Sequence, residues 1–155
     1  MFYPLFIDLK RKKVLIIGGG DVGSRRALYM LKAGAVVTVI SKEFSKKLSI
    51  KNKNLRLIRK EINDKNINKI NLNHFLIIIS TNNKRINKKI TNKVKINKKL
   101  KNRILVCRAD KPSDGNVIFP SVSRIKNNVF AFTTFGKNPK LSKKIKNLIE
   151  NARKT

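Results

Sequence analysis

The chain has 155 residues, which is enough for one hydrophobic core and too few for several large domains. Its 38 Lys and Arg residues against 8 Asp and Glu give a formal net charge of +30, a field that would attract nucleic acid, anionic membranes or polyanionic small molecules. A single cysteine, Cys107, excludes an internal disulfide framework, and one His with one Cys excludes a structural zinc site of four such ligands.

No apolar run approaches the ~20 residues needed to cross a bilayer, and the first residues lack the pattern of a signal peptide. We therefore expect a cytoplasmic protein with no membrane partner and no metal site. Lys, Asn and Ile are enriched together along the chain, as in residues 84–99, which an AT-rich coding sequence would produce whatever the function. We favour that origin of the charge over a nucleic-acid-binding surface, because aromatic residues for base stacking are few.

The first predicted elements form a β-α-β unit of about 30 residues. Residues 2–9 are an apolar lead-in, predicted as an extra strand or as a segment packed beside the first strand. The first strand is predicted over residues 12–17 and a helix over 21–33, ending at Gly34. Residues 35–40 are rich in β-branched side chains and predict the second strand.

The turn between the first strand and the helix carries Gly18-x-Gly20-x-x-Gly23, the pattern that seats a dinucleotide pyrophosphate on a helix N-terminus. In this interpretation Gly18 permits the tight turn, Gly20 lets the backbone approach the phosphates, and Gly23 lets the helix pack on the strand. Asp21 and Val22 add backbone N–H groups at the helix start. The alternative is an empty strand-turn-helix, since glycine-rich turns are common.

The residues after the second strand determine how the cofactor ribose would be bound. Many NAD-binding folds have an acidic residue there, whereas this chain has Ser41 and Lys42, followed by Glu43. A hydroxyl or backbone group could serve the ribose of NAD, and a cation at residue 42 would also suit the 2′-phosphate of NADP. We expect NAD and leave NADP open.

The middle of the chain continues to alternate between the two periodicities. A modest helical stretch is predicted over residues 44–50, a third strand over 55–59 and a loosely spaced helix over 62–71. A continuous apolar strand follows over 75–79, then a polar loop over 80–83 and an amphipathic helix over 86–100. A fifth strand over 104–106 leads into a loop of turn formers over 109–115.

This alternation predicts an α/β fold with an open, mostly parallel sheet of the Rossmann type, over residues 1–112. Beyond it the pattern changes to two antiparallel strands, within 116–123 and 128–134, and an amphipathic helix over 141–152. Two strands and a helix cannot easily close their own core. We therefore predict that residues 113–155 form a small α+β dimerisation module.

Five segments occur in a specific order along the chain: the opening YPLFIDLKRKKVLIIGGGDVGSRRALYMLKAGAVVTVIS, then ISTNNKRIN, ILVCRADKP, VIFPS and FTTFGKNPKLSKKIK. In this order they resemble the precorrin-2 dehydrogenase/sirohydrochlorin ferrochelatase family, whose module completes sirohaem synthesis. The resemblance covers essentially the whole chain, and its ordered segments are more specific than the glycine pattern alone. Longer members of that family add a C-terminal helical segment, and we expect this chain to be without it.

The resemblance implies an oxidoreductase that takes a hydride from precorrin-2 to NAD, giving sirohydrochlorin. The substrate is a polycarboxylate tetrapyrrole, so part of the positive charge could attract it. One alternative is a bifunctional enzyme that also inserts ferrous iron into sirohydrochlorin. A second is a module without catalysis that binds a nucleotide or, through its charge, nucleic acid.

The resemblance also implies roles for single residues. Asp110 aligns with the family's essential Asp and would accept a proton, although on residues alone it is a turn former before a Lys-Pro pair. Thr81 would contact the nicotinamide half of NAD, cap the next helix, or do both. Arg108 is a predicted substrate contact, and the turn with Thr134 is predicted to contact the substrate or an interface. His74 precedes an apolar strand and is predicted to be a solvated strand start rather than a metal ligand.

Overall fold

The computed structural model of the protein describes residues 2–97, 99–100 and 102–151. The chain divides into two compact units, the first extending through Val117 and the second starting at Ile118. No helix in the described part of the chain is long and apolar enough to cross a membrane.

The first unit is built on a five-stranded parallel sheet with strand order β3-β2-β1-β4-β5, which confirms the predicted Rossmann-type fold. Helix α1 connects β1 to β2, and helix α2 connects β4 to β5. The strands are β1 (Lys13–Gly19), β2 (Val36–Phe44), β3 (Leu55–Arg59), β4 (Leu76–Ile79) and β5 (Leu105–Arg108), and the helices are α1 (Asp21–Lys32) and α2 (Lys84–Ile96).

The central strands are apolar on both sides because helices cover both faces of the sheet. Leu15 and Ile17 of β1 belong to a buried cluster that includes Ile86 and Ile90 of α2. Met30 of α1 is also buried, and α1 packs on β1 and β2. Full burial of each such side chain stabilises the fold by roughly 1.5–3 kcal/mol. The sheet is therefore a rigid base for the loops that leave its carboxyl edge.

The order in which the chain adds strands to the sheet changes direction at the boundary between β1 and β4. Strands β1 to β3 extend the sheet toward one side, and β4 and β5 extend it toward the other. From β1 the connection through α1 runs to β2 on one side, whereas β4, which pairs with the other side of β1, continues to β5. In open α/β sheets, ligands bind outside the carboxyl ends of the strands at this point.

The outer edge of β5 is covered by a side chain instead of another strand. The Asn116 Oδ1 atom accepts from the Val106 N–H at 2.6 Å, and its Nδ2 donates to the Ile104 carbonyl at 2.9 Å. The Val106 carbonyl accepts from the N–H groups of Asn116 and Val117 at 3.0 and 3.2 Å. The parallel sheet thus ends at β5.

The second unit contains two antiparallel strands and one helix, as predicted for this part of the chain. Strands β6 (Ser121–Ile125) and β7 (Asn128–Phe132) form a hairpin, with the left-handed residue Lys126 (φ 49°) in its turn. Helix α3 (Pro139–Asn151) follows and packs on β6.

Three predicted elements of the first unit are different in the structure. The lead-in over residues 2–9 contains no strand, and its aromatic side chains are exposed. Residues 44–50 are not a helical stretch, because β2 extends to Phe44, which pairs with Gly19, and only a 3-10 turn follows at Lys46–Leu48.

The predicted helix over residues 62–71 is reduced to a 3-10 turn at Ile67–Lys69. Asparagine side chains in this segment accept hydrogen bonds from nearby backbone N–H groups. Asn63 accepts from Lys65 at 3.1 Å, and Asn66 accepts from the Asn63 N–H at 3.0 Å. These local bonds compete with a helical backbone, so loosely spaced isoleucines were not sufficient to form one.

Candidate active site

The three glycines of the motif at the end of β1 have different surroundings. Gly18 has a φ of +107°, and a Cβ there would lie 2.6 Å from the Ser80 carbonyl oxygen. A Cβ on Gly23 would lie 1.8 Å from the Gly18 carbonyl oxygen. A Cβ on Gly20 would meet no atom within 4 Å. Gly18 and Gly23 are therefore needed by the fold, whereas Gly20 leaves open space at the start of α1.

Helix α1 begins beside that open space. The N–H groups of its first turn have no partner within the helix, and they favour an anion. Asp21 and Val22 are exposed in this turn. Lys47 hydrogen-bonds the Asp21 carboxylate at 3.0 Å and lowers its pKa. This exposed pair places a cation next to the helix start.

The carboxyl end of β2 carries Ser41 and Lys42 and is rich in cations. Ser41 pairs with Arg59 of β3, whose Nη1 atom donates to the Lys42 carbonyl at 3.5 Å. The Arg59 guanidinium also lies 5.6 Å from the centroid of the Phe44 ring. The sequence has the cation Lys42 where many NAD-binding folds have an acidic residue, and the structure adds a second positive side chain, Arg59, at this end of β2.

The carboxyl end of β4 is tied both to the glycine turn and to α2. The Ser80 hydroxyl donates to the Gly18 carbonyl at 3.2 Å. Next to it, Thr81 is bound by Asn87, whose Nδ2 donates to the Thr81 carbonyl at 2.9 Å and whose Oδ1 accepts from the Thr81 hydroxyl. Asn83, rather than Thr81, caps α2, because its side chain accepts from the Ile86 N–H at 3.1 Å.

Asn87 and Ser80 were not singled out from the sequence, although both lie in the ISTNNKRIN segment. Asn87 is fully buried, and a buried amide must hydrogen-bond. The feature of the sequence that could have pointed to Asn87 is its position among the apolar residues of an amphipathic helix, one residue after Ile86 and three before Ile90. Only the fold shows that it reaches back to Thr81.

Asp110 follows β5 and forms a two-pronged ion pair with Arg108. The Arg108 Nε donates to Asp110 Oδ1 at 3.0 Å, and its Nη2 donates to Oδ2 at 2.8 Å. The hydrogen bond from Arg108 lowers the pKa of Asp110, and the Arg108 charge and Asn87 lower it further against the opposing effect of burial. Asp110 is therefore ionised at neutral pH, with 18% of its side chain exposed.

Arg108 is held by a second carboxylate and is itself buried, with 5% of its side chain exposed. Its Nη1 donates to Asp114, and its Nη2 lies 3.4 Å from the Lys84 carbonyl at the start of α2. Lys111 contacts Asp114 at 3.2 Å. The hydrogen bond to Asp110 raises the pKa of Arg108. Contact between Arg108 and a substrate carboxylate stays a prediction.

Thr134 belongs to the second unit, in the turn before α3. Its hydroxyl donates to the Asn138 carbonyl at 3.1 Å and lies 3.2 Å from the Ser142 hydroxyl. The next residue, Phe135, has a φ of 55°, a left-handed conformation that costs roughly 1–2 kcal/mol for a non-glycine residue. Thr134 thus helps to form the start of α3, and its predicted substrate contact stays a prediction.

The structure brings most of the predicted site residues to one edge of the sheet. The glycine turn, Thr81 and Asp110 lie at or just after the ends of β1, β4 and β5, and Ser41 lies in the last part of β2; all four strands are parallel. His74 precedes β4 and lies at the opposite edge, where burial lowers its pKa. Among the described residues, no group of three or more His, Cys, Asp or Glu side chains could hold a metal ion.

Comparisons with known proteins agree on the type of protein. A family model described as "Putative NAD(P)-binding" matches residues 5–121. The chain is 36% identical over 154 residues to "Putative precorrin-2 dehydrogenase" of Methanocaldococcus jannaschii, covering 96% of this chain and 72% of that one. It is 32% identical over 146 residues to "Precorrin-2 dehydrogenase" of Priestia megaterium, covering 93% and 67%. A solved structure, "SirC, precorrin-2 dehydrogenase", is similar with a TM-score of 0.74 and 30% identity, over 97% of this chain and 71% of that one.

Proposed function

This chain belongs to the precorrin-2 dehydrogenase family, and on that premise we propose that it oxidises precorrin-2 to sirohydrochlorin for sirohaem or a related tetrapyrrole. One arrangement supports this function above all. A glycine turn open toward a helix N-terminus and an ionised carboxylate, Asp110, follow strands of the same sheet at the same edge. A dinucleotide site and a proton acceptor are what such a dehydrogenation requires.

The residues present fit NAD, because the space beside Gly20 is not filled by the protein. When bound, NAD supplies the hydride acceptor. We propose that the N–H groups of Asp21, Val22 and Gly23 bind its pyrophosphate, together with the backbone of Gly18 and Gly20. Ser41 and Lys42 would bind the ribose, and Thr81, fixed by Asn87, would contact the nicotinamide half.

Asp110 is the proposed catalytic residue. Precorrin-2 loses a hydride, which reduces NAD to NADH, and a proton, which Asp110 accepts and passes to solvent. Its partial exposure leaves it accessible to a substrate. Its low pKa means that it does not retain the proton at neutral pH, so it is ready for the next turnover.

Arg108 and Thr134 are the proposed substrate contacts. Four hydrogen bonds of Arg108 already go to groups of the chain itself, so its contribution to substrate binding would come through its charge. For Thr134 the support is the resemblance of its turn, FTTFGKNPKLSKKIK, to that of the family.

An anaerobic assay with precorrin-2 and NAD, followed by sirohydrochlorin absorbance, tests the proposed function. We expect turnover by the wild-type protein and a loss of about 10²–10⁴-fold in Asp110→Ala. Calorimetry should show unchanged NAD binding by that variant, and NADP titrated at the same concentrations tests cofactor choice. Asp64→Ala, which removes an exposed carboxylate paired with Arg85 and Lys89, is the control.

Near-normal turnover by Asp110→Ala would disprove the role of Asp110, and a wild-type protein that binds neither NAD nor NADP would disprove the proposed function. Ferrous iron added after the first stage tests the bifunctional alternative, because sirohaem and sirohydrochlorin have different absorbance spectra.

We also propose that residues 113–155 serve as the dimerisation module and that the enzyme is a cytoplasmic homodimer. Support comes from the large apolar side chains that the second unit leaves exposed, including Phe130, Leu141 and Leu148. Light scattering after size exclusion should show a dimer for the wild type. Leu148→Glu should shift it toward monomer, whereas Asn147→Glu, with the same added charge one residue away, should not.

A further inference from the structure

Arg108 is a buried cation with an unusually complete set of partners. It lies at the end of β5, and its side chain donates to Asp110 twice, to Asp114 once and to the Lys84 carbonyl once. A guanidinium has five N–H donors in a fixed plane, so four of them are directed at groups of this chain. A buried charge is tolerated only with such compensation, and removing its partners or the cation itself is costly.

We propose that Arg108 is a positioning residue for Asp110: its guanidinium fixes both carboxylate oxygens and thereby sets the orientation of the catalytic group. This inference rests on the proposed function. A carboxylate that follows a strand can rotate about two side-chain bonds. Two parallel hydrogen bonds, at 3.0 and 2.8 Å, remove that freedom because the donors lie in one rigid plane.

The guanidinium is in turn fixed from two directions. Asp114 lies in the 3-10 turn Pro112–Asp114, where proline restricts the backbone, and its carboxylate binds Arg108 on the side away from Asp110. The Lys84 carbonyl, at the first turn of α2, contacts the same guanidinium. The orientation of Asp110 therefore depends on β5, the 3-10 turn and α2 together.

The pair lies in a group of charged side chains that contains three cations and two carboxylates. The groups that act on Asp110 are Arg108 and Asn87, and those that act on Asp114 are Arg108, Lys111 and Lys95. The pKa of Asp110 lies below its usual value, and the hydrogen bond from Arg108 is the largest cause. Removing Arg108 would therefore leave two neighbouring carboxylates, and the pKa of Asp110 would rise.

The test compares Arg108→Met with Arg108→Lys and with Lys111→Met. The last variant also removes one positive charge from the loop but does not contact Asp110. For Arg108→Met we expect kcat to fall by about 10- to 100-fold, with NAD affinity by calorimetry unchanged. The acid limb of its pH–kcat profile should move to higher pH. Arg108→Lys should return the acid limb toward wild type but not kcat, because an ammonium cannot form the two-pronged contact.

Wild-type kcat and an unmoved acid limb in Arg108→Met would overturn the inference, and so would full recovery of kcat by Arg108→Lys. If Arg108→Met does not fold, Asp114→Asn provides the same test, since it loosens the guanidinium while leaving the Arg108–Asp110 pair present. Its kcat should fall with NAD affinity intact, and an unchanged kcat would overturn the inference. Failure of the proposed function is distinguishable, because the wild-type protein itself would then bind neither NAD nor NADP and would not turn over precorrin-2.

Discussion

At the scale of single residues, Gly20 and Gly23 lie within one turn of each other but have opposite surroundings. A methyl group on Gly23 would collide with the Gly18 carbonyl oxygen, whereas one on Gly20 would enter empty space. Gly20 also has an ordinary φ of −70°. Gly23 is thus required for the fold, whereas no atom of the protein near residue 20 requires a glycine there.

We predict that Gly23→Ala and Gly20→Ala separate stability from cofactor binding. Gly23→Ala should lower the free energy of unfolding by about 1–3 kcal/mol or prevent folding, because the clash is with backbone. Gly20→Ala should leave it within about 0.5 kcal/mol and weaken NAD binding at least tenfold. Urea unfolding and calorimetry measure the two effects. A stable Gly20→Ala that binds NAD normally would show that the pyrophosphate does not approach this residue.

Asn87 connects α2 to the end of β4, and its substitution is a prediction at the scale of elements. Asn87→Ala removes the donor to the Thr81 carbonyl and should cost about 1–3 kcal/mol of the free energy of unfolding. Asn92→Ala lies on the exposed side of the same helix and should change it by less than about 0.5 kcal/mol. Equal urea midpoints for both variants would contradict a structural role of the buried amide.

The ion pairs between β5 and the following turn predict a pH dependence of stability. Asp110 has a lowered pKa in the folded state, so its contribution is fully present above the ordinary aspartate value of 3.8 and is lost as the pH falls through the folded value. The difference in urea midpoint between wild type and Asp110→Asn should therefore be constant from pH 7 to 5 and shrink below about pH 4. Asp64→Asn should show a much smaller difference, because its partners are exposed. A wild-type advantage as large at pH 3 as at pH 7 would contradict this linkage.

The elements that the sequence predicted well are those whose own residues determine them. Strand β4 is a continuous apolar run and was predicted close to its observed bounds. Helix α2 has regular apolar spacing after an asparagine cap, so its existence was predicted, but it ends at Ile96 rather than at residue 100. The extension of β2 to Phe44 depends on pairing with Gly19, far away in sequence, and no local pattern marks it.

The same distinction holds for the site. The three glycines and Asp110 lie in motifs that can be recognised along the chain. The contacts of Arg108 with Asp114 and of Asn87 with Thr81 appear only when separate segments meet at the carboxyl edge of the sheet. Burial of Arg108, in a chain with 38 cationic residues, could not be distinguished from the general basic composition.

For the whole molecule, the net charge of +30 predicts how binding responds to salt. If the positive field attracts a polycarboxylate substrate, the KM for precorrin-2 should rise steeply between about 50 and 200 mM salt while kcat changes little. Steady-state assays over this range, at saturating NAD, measure it. A flat response would assign the charge to composition alone.

Asn116 gives the molecule a further property at this scale. Its side-chain amide hydrogen-bonds the Val106 N–H and the Ile104 carbonyl, as the backbone of a neighbouring strand would. The outer edge of β5 is therefore already paired within the same chain. An incoming segment would have to displace this internal mimic before it could extend the sheet. Asn116 therefore opposes aggregation by strand addition at this edge of the sheet. This matters because the core strands are among the most apolar and β-prone segments of the protein.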